Sequence, residues 1–292
     1  MTWQLLVNGA VSASMYVLTG VGFAAIYSAL RFFHFAHAAV VMTGAYVAFA
    51  LFQPLGFPIW AAVAGGIVVS ACIGCGMELV VYRPLRSKGA PSLVLLLASL
   101  GMYVVLQNVI SMVFGDDAKS IRITEVKEGL NLLGARITPI QIVSIATGTV
   151  ALIGTGTLLR FTRQGKAMKA MASDCELSVA SGIDTTRVAL FAFAVGSALA
   201  GVSGILIGID AAVTPMMGMN VLLMGVIAVI VGGVRSIIGI AAAAVVLGMA
   251  QQFGAWYMGP EWQEAAAFAV LLVFLLFFPR GFSRIKEGKA TV

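Results

Sequence analysis

Charge is scarce in this 292-residue chain. Lys, Arg, Asp and Glu make up 10% of it, against about 25% in an ordinary soluble domain. With 60% hydrophobic residues and a mean hydropathy of +1.02, the chain has too little polar surface to enclose its apolar side chains in water. Soluble classes are excluded, and a polytopic α-helical membrane protein remains. Cysteine is also scarce. Cys72 and Cys75 lie in an apolar run and Cys175 in a polar one, so no disulfide framework is implied. The Cys-x-x-Cys pair has no other soft ligand nearby and reads as packing. No Lys or Arg precedes Arg31, so the basic start of a cleavable signal peptide is missing and the first span is expected to stay. No G-x-x-x-x-G-K-[ST], nucleophile elbow or H-E-x-x-H occurs. ATP binding by that loop is excluded, and an enzyme reading is left without a motif. No run of carboxylates crosses the spans, which weighs against a proton-driven pump.

What is present is a series of apolar runs of about the length a bilayer requires. They cover 5–30, 35–53, 58–81, 92–114, 138–160, 187–209, 219–234, 236–256 and 262–279. The seventh is short and ends in Gly232-Gly233, as a half-span or broken helix would. The first is long and rich in Gly and Ala and could also be broken. Basic residues collect in the cytoplasmic loops of membrane proteins. Here they gather at Arg83, Arg86 and Lys88, at Arg160, Arg163, Lys166, Lys169 and Arg187, and at Arg280, Arg284, Lys286 and Lys289. Placing these inside also puts Arg31 and Arg235 inside. The 115–137 loop balances Lys119, Arg122, Lys127 and Arg136 against four acidic residues and falls outside. The expectation is an all-α bundle of about eight to nine spans, N-terminus outside and C-terminus cytoplasmic, forming one domain over 1–292. The net charge of +6 is then a topology signal and a contact for membrane lipid; no nucleic acid is needed to explain it.

The stretch from Arg163 to Arg187, within a cytoplasmic loop of about 161–186, stands apart. Ser173 offers a helix N-cap and Glu176 completes a capping box. Gly182 supplies the left-handed stop. Leu177, Val179 and Ala180 give the enclosed helix a small apolar surface. A helix of about two turns is not stable alone in water. It is either a simple linker or an element resting on the membrane domain and presented to a partner.

Small residues recur along one face at Gly196, Ala200, Gly204 and Gly208, which lets helix backbones approach closely in lipid. Polar residues at depth are few. His34 and His37 share one helical face, a spacing compatible with a structural pair, a gate or substrate contact, or two metal ligands without a third. Glu78 pairs with Arg83 or Arg86. Gln107 and Asn108 bond across helices or line a pore. Asp210 and Thr214-Pro215 lie at the outer end of the sixth span.

Several of these segments together resemble the permease of a bacterial ABC importer for branched-chain amino acids, the LivH type. The stretch 31–48 is similar to R-V-I-N-F-A-H-G-x-x-x-M-x-G-A-Y, with Phe35, Ala36, His37, Met42, Gly44, Ala45 and Tyr46 matching. Glu78 with Tyr82-Arg83-Pro84-Leu85-Arg86 resembles E-x-x-x-Y-R-P-x-R. Further matches are Ser99-Leu100-Gly101-Met102 through Asn108, Val231-Gly232-Gly233 with Ser236-Ile237 and Gly239, and Phe278-Pro279-Arg280-Gly281. In the central stretch Arg163, Gly165, Ala167, Ala170, Ala172, Asp174, Ala180, Gly182 and Ile183 match.

The resemblance implies a coupling element around Gly165, Ala172, Ser173, Asp174, Glu176, Leu177, Ala180, Gly182 and Ile183, seated in a groove of a cytoplasmic ATPase. It implies a substrate pathway near His34, Phe35, His37, Gln107, Asn108 and Asn220. It further implies alternating access in the bacterial cytoplasmic (inner) membrane. On this resemblance the chain itself is expected to hold no cofactor or metal and not to be an enzyme, with ATP and Mg belonging to partner ATPase subunits. A second permease subunit, paralogous or a second copy, and an external solute-binding protein complete the system. The sequence departs from the family pattern at His34, Ala38, Ser173, Cys175, Asn220, Arg235 and Ile238, which leaves branched-chain amino acids first among several small organic solutes. The competing expectations are a secondary transporter or channel working without ATP, and a membrane-embedded enzyme using the histidine pair with a metal.

Overall fold

The computed structural model describes residues 2–121, 129–132 and 135–277. The basic tail, the Phe278–Gly281 block and the charges at 122–128 lie outside the described residues.

Helix α1 (Thr2–Leu30) runs unbroken despite its glycines. After a non-helical stretch at 31–36 comes α2 (His37–Phe52). Helix α3 (Ile59–Met77) continues through one π-helical turn (Glu78–Tyr82) into α4 (Arg83–Ser87). Arg86 holds both Glu78 carboxylate oxygens across that turn. Then follow α5 (Ser92–Phe114), a small hairpin of β1 (Leu130–Leu132) and β2 (Ala135–Ile137) with Leu130 opposite Ile137, and α6 (Pro139–Phe161). Thr138 and Gln141 form a capping box at the start of α6. The rest is α7 (Arg163–Ser173), α8 (Cys175–Ala180), α9 (Thr185–Asp210), α10 (Met217–Gly232), α11 (Ile237–Met258), a 3₁₀ turn at Pro260–Trp262, and α12 (Gln263–Phe277).

Each of the nine apolar runs holds one helix. Seven, counting α12 with its 3₁₀ turn, are long and apolar enough to cross a membrane. The other two, α2 and α10, have 16 residues each, about 24 Å of helix against roughly 30 Å of hydrocarbon.

The core forms around α1, which packs on α6, α9, α10 and α11, and around α2, which lies between α3 and α9. Small residues make this possible. A side chain at Gly204 would run into the Val41 carbonyl of α2, and one at Gly196 into the Gly22 carbonyl of α1. The 196–208 stripe is thus the seam on which α9 meets both central helices, packed by close backbone approach. Thr19 donates to Ser203 (2.9 Å), which donates to the Met15 carbonyl (3.2 Å). Helices α5, α6 and α12 are mostly unburied by the rest of this chain.

The two membrane faces are distinct. At one, Gln4 brackets the Arg136 backbone with two hydrogen bonds, and Lys119 pairs with Val213. At the other lie Arg31, the Glu78–Arg86 pair, α7, α8 and Arg235. That separation agrees with the orientation read from the loop charges.

Candidate functional site

Two arrangements carry the candidate residues, one projecting from the inner face and one buried in the bilayer.

The projecting one is α7 and α8. The stretch in which one short capped helix was expected holds two helices. Helix α7 is amphipathic, with Gly165, Met168, Met171 and Ala172 buried at helical spacing. Met168 and Met171 pack with Ala25 and Ala29 of α1 and Val188 and Ala192 of α9. A side chain at Gly165 would strike the backbone at Leu158 and Leu159, so glycine lets α7 fold back beneath α6.

The α8 cap differs by one residue from the sequence expectation. Asp174 is the N-cap: its carboxylate accepts from Leu177 N at 2.9 Å, and its backbone is extended (φ −149, ψ 110). Ser173 is the last residue of α7. A capping residue must leave the helical conformation, so Ser173 cannot cap and Glu176 is one place short of a capping box. Glu176 still lies in the first turn, where the helix dipole favours an anion. At the far end Gly182 has φ +79. Its N–H donates to Val179 O at 2.9 Å and that of Ile183 to Ser178 O at 3.0 Å, a Schellman stop. Ile183 then packs back onto the apolar cluster formed by α1, α7 and α9. Helix α8 is fastened at both ends, yet Leu177 (66%) and Val179 (56%) are exposed, as are Ser173, Glu176 and Ala180.

The carbonyl of Ala172 accepts from Arg235 at 2.6 Å and also from Arg31. Arg31 has φ +57, the one non-glycine residue with positive φ among those described, and it ends α1. Two guanidiniums from distant parts of the chain therefore meet at the C-terminus of α7, where the helix dipole favours cations. Sequence reasoning assigned both arginines to topology and missed this role. The available signal was their position, Arg31 directly after α1 and Arg235 in the short turn between α10 and α11.

The buried arrangement lies at the 31–36 break. Gly22 faces the His37 ring; a Cβ there would lie 3.2 Å from Nε2. Gly22 is eight residues, about 12 Å, above the inner end of α1, so the chain climbs back into the bilayer before α2 begins. Gly218, near the start of α10, packs directly on the Ala38 carbonyl. Both short helices therefore begin at depth, N-terminus to N-terminus.

Non-helical backbone at such depth survives only where protein covers it and its polar groups are bonded. Phe32, His34 and Ala36 are buried. Ser99 accepts from Phe35 N (3.1 Å) and reaches Phe33 O (3.2 Å). His34 Nδ1 bonds Tyr82 Oη at 3.0 Å. Three segments singled out separately, 31–37, 78–86 and 99–108, thus meet in one place.

His34 and His37 are both fully buried with rings 5.8 Å apart. His34 Nε2 and both His37 nitrogens lack a strict hydrogen bond, the Thr19 backbone being the polar group that faces His37. Among the described residues no cluster of three His, Cys, Asp or Glu side chains forms that could hold a metal.

The other pathway candidates lie apart. Asn108 donates to Val104 O of its own helix at 2.7 Å and is exposed; of the two expectations, a bond across helices or a pore lining, the cross-helix bond is not made among the described residues. An i−4 carbonyl is the nearest acceptor for an amide on a helix face that meets no other helix of this chain. Gln107 is half-buried and Asn220 exposed. No hydrogen bond joins these three to the histidines among the described residues.

A family model described as "Branched-chain amino acid transport system / permease component" matches residues 5–275. The high-affinity branched-chain amino acid transport permease LivH of Salmonella typhimurium is 30% identical, covering 95% of this chain and 94% of that one. BraD of Pseudomonas aeruginosa is 31% identical with the same coverage. Among solved structures, PsaBC from Streptococcus pneumoniae in complex with Fab superposes with a TM-score of 0.51 over 96% of this chain and 94% of that one, at 12% identity. That likeness speaks for the fold alone.

Proposed function

The chain belongs to the permease family of branched-chain amino acid transport systems, and from that premise we propose how it works as the membrane subunit of an ATP-driven importer. The observation that carries the reading is α8: a helix locked at both ends, apolar on its exposed side, and mounted on α7 at the inner face. It is the element offered to cytoplasmic ATPase subunits, which bring the ATP and Mg that this chain does not bind. Movement of α8 passes through α7 to the Ala172 carbonyl, and from there to Arg31 at the end of α1 and Arg235 in the α10–α11 turn.

Those two connections lead to the two helix breaks. The 31–36 stretch follows Arg31 directly, and α10 ends just before Arg235. In this reading the junction where α2 and α10 begin is the gate, and the buried His34 and His37 lie beside it. The solute is a branched-chain amino acid or a related small organic molecule, delivered by an external binding protein across the bacterial cytoplasmic membrane. Gln107, Asn108 and Asn220 sit on faces that a second permease subunit would cover, since an uncovered amide in a span is costly in lipid. ATP drives the cycle only through the difference in its affinity for the two gate states.

Replacing 174–181 by a Gly/Ser linker tests this. The intact chain is expected to bring ATPase subunits from native membranes, and the replaced chain to insert normally and bring none. ATPases retained by both would refute α8 as the docking element.

A further inference from the structure

A groove of about 710 Å³ opens toward the inner face between α6 and α11. Its size is within the range of small-molecule sites. Val21 and Ala24 of α1 form its floor, Ile153 and Gly156 of α6 one wall, and Ile237 and Ile240 at the start of α11 the other. These surfaces are apolar. The mouth is cationic: Arg160, Lys169 and Arg235 line it, and no Asp or Glu does. None of the three forms an ion pair among the described residues. Arg235 spends one nitrogen on the Ala172 carbonyl, Arg160 lies 5.4 Å from the centre of the Phe161 ring, and Lys169 is exposed. The rim is greasy, with Ile153 60%, Phe161 70% and Ile238 82% exposed.

We propose that this groove is a binding site for an anionic glycerophospholipid of the inner leaflet, with its phosphate among Arg160, Lys169 and Arg235 and its acyl chains along α1 between α6 and α11. The chemistry of the two halves points to this occupant. A helix from another subunit would match the apolar walls but leave three cations without a counter-charge at a place where desolvation is costly. A free anion would satisfy the cations and leave the walls facing nothing. A phospholipid matches both along one axis, and basic residues between membrane helices at the cytoplasmic side are suited to such headgroups. The site is separate from the gate. It touches the transmission route, because Lys169 and Arg235 flank the Ala172 junction.

The test uses the full-length chain with the subunits it carries, stripped of lipid in detergent. Phosphatidylglycerol and phosphatidylcholine of the same acyl chains are titrated in, with bound lipid counted by native mass spectrometry. The wild type is expected to prefer phosphatidylglycerol. Removing two cations in R160A/K169A is expected to weaken that lipid roughly thirtyfold, at about five- to sixfold for each, while leaving phosphatidylcholine unchanged. Gly156→Leu fills the groove from a position where a Cβ meets only Ile237 at 4.0 Å. It is expected to weaken both lipids with no loss of thermal stability. Unchanged phosphatidylglycerol binding in R160A/K169A would overturn the site. So would displacement of the lipid by inorganic phosphate at equal concentration, or a photo-crosslinker at Ile153 that captures a polypeptide in place of lipid.

Discussion

Ser99 shows how much one side chain holds. Its hydroxyl is the partner of Phe35 N and reaches the Phe33 carbonyl, and no water is available at that depth to replace it. Ser99→Ala leaves a buried N–H unpaired, a loss of about 1–3 kcal/mol. The expected outcome is a lower thermal midpoint in detergent, with insertion unaffected; an unchanged midpoint would mean that another group takes over the Phe35 N–H. The cap of α8 is a second case. Asp174→Ala is expected to cost about 1 kcal/mol of local stability and to speed amide exchange across 175–180, whereas Ser173→Ala is expected to leave exchange unchanged. Equal effects would restore Ser173 as the cap. The sequence supports a cap at either residue, because both types cap well. Only the extended backbone at 174 decides between them, and that follows from how far α7 runs.

At the scale of the element, the spans were legible because hydropathy records the bilayer directly. The π-helical turn in α3 and the depth at which α2 and α10 begin were not, since they depend on which helices pack alongside. Helix α7 was within reach of the sequence. Its buried residues recur at three- and four-residue spacing, but the basic residues between them masked the pattern. The stop at Gly182 was read correctly, and its conformation gives a sharp expectation. Gly182→Val forces a β-branched residue into the left-handed region, at about 1–2 kcal/mol, with nothing within 4 Å to clash. Membrane insertion and global stability should be unchanged while solute-stimulated ATP hydrolysis falls. Full stimulation would show that the α8 turn tolerates distortion.

Across the whole molecule, three segments separated by about 140 and 60 residues share the Ala172 carbonyl. No local pattern in the sequence marks such a junction, because each arginine also reads as an ordinary inner-face charge. The junction predicts a separation of docking from transmission. Leu177→Glu, on the exposed face of α8, is expected to lose the ATPase subunits. R31A/R235A is expected to keep them and lose the coupling of hydrolysis to solute. If the double arginine variant also releases the ATPases, the junction shapes the docking surface and does not relay movement. The candidate site was thus half legible: the short capped helix and the histidine pair stood out as local patterns, and the Ala172 junction did not.

The shortness and burial of α2 have a consequence for how the protein is made. Two of its close neighbours, α3 and α9, are separated by more than 90 residues of chain, so α2 is synthesised long before the helix that seats on Val41 exists. Until α9 arrives, a 16-residue helix with a histidine at its N-terminus must wait in the membrane partly uncovered. Nascent chains halted before residue 185 should therefore be targets for membrane proteases and insertion chaperones. Chains halted after 210 should be attacked less. Pulse-labelling of such truncations would show a step in resistance between those lengths, and gradual protection along the series would speak against α9 as the helix that covers α2.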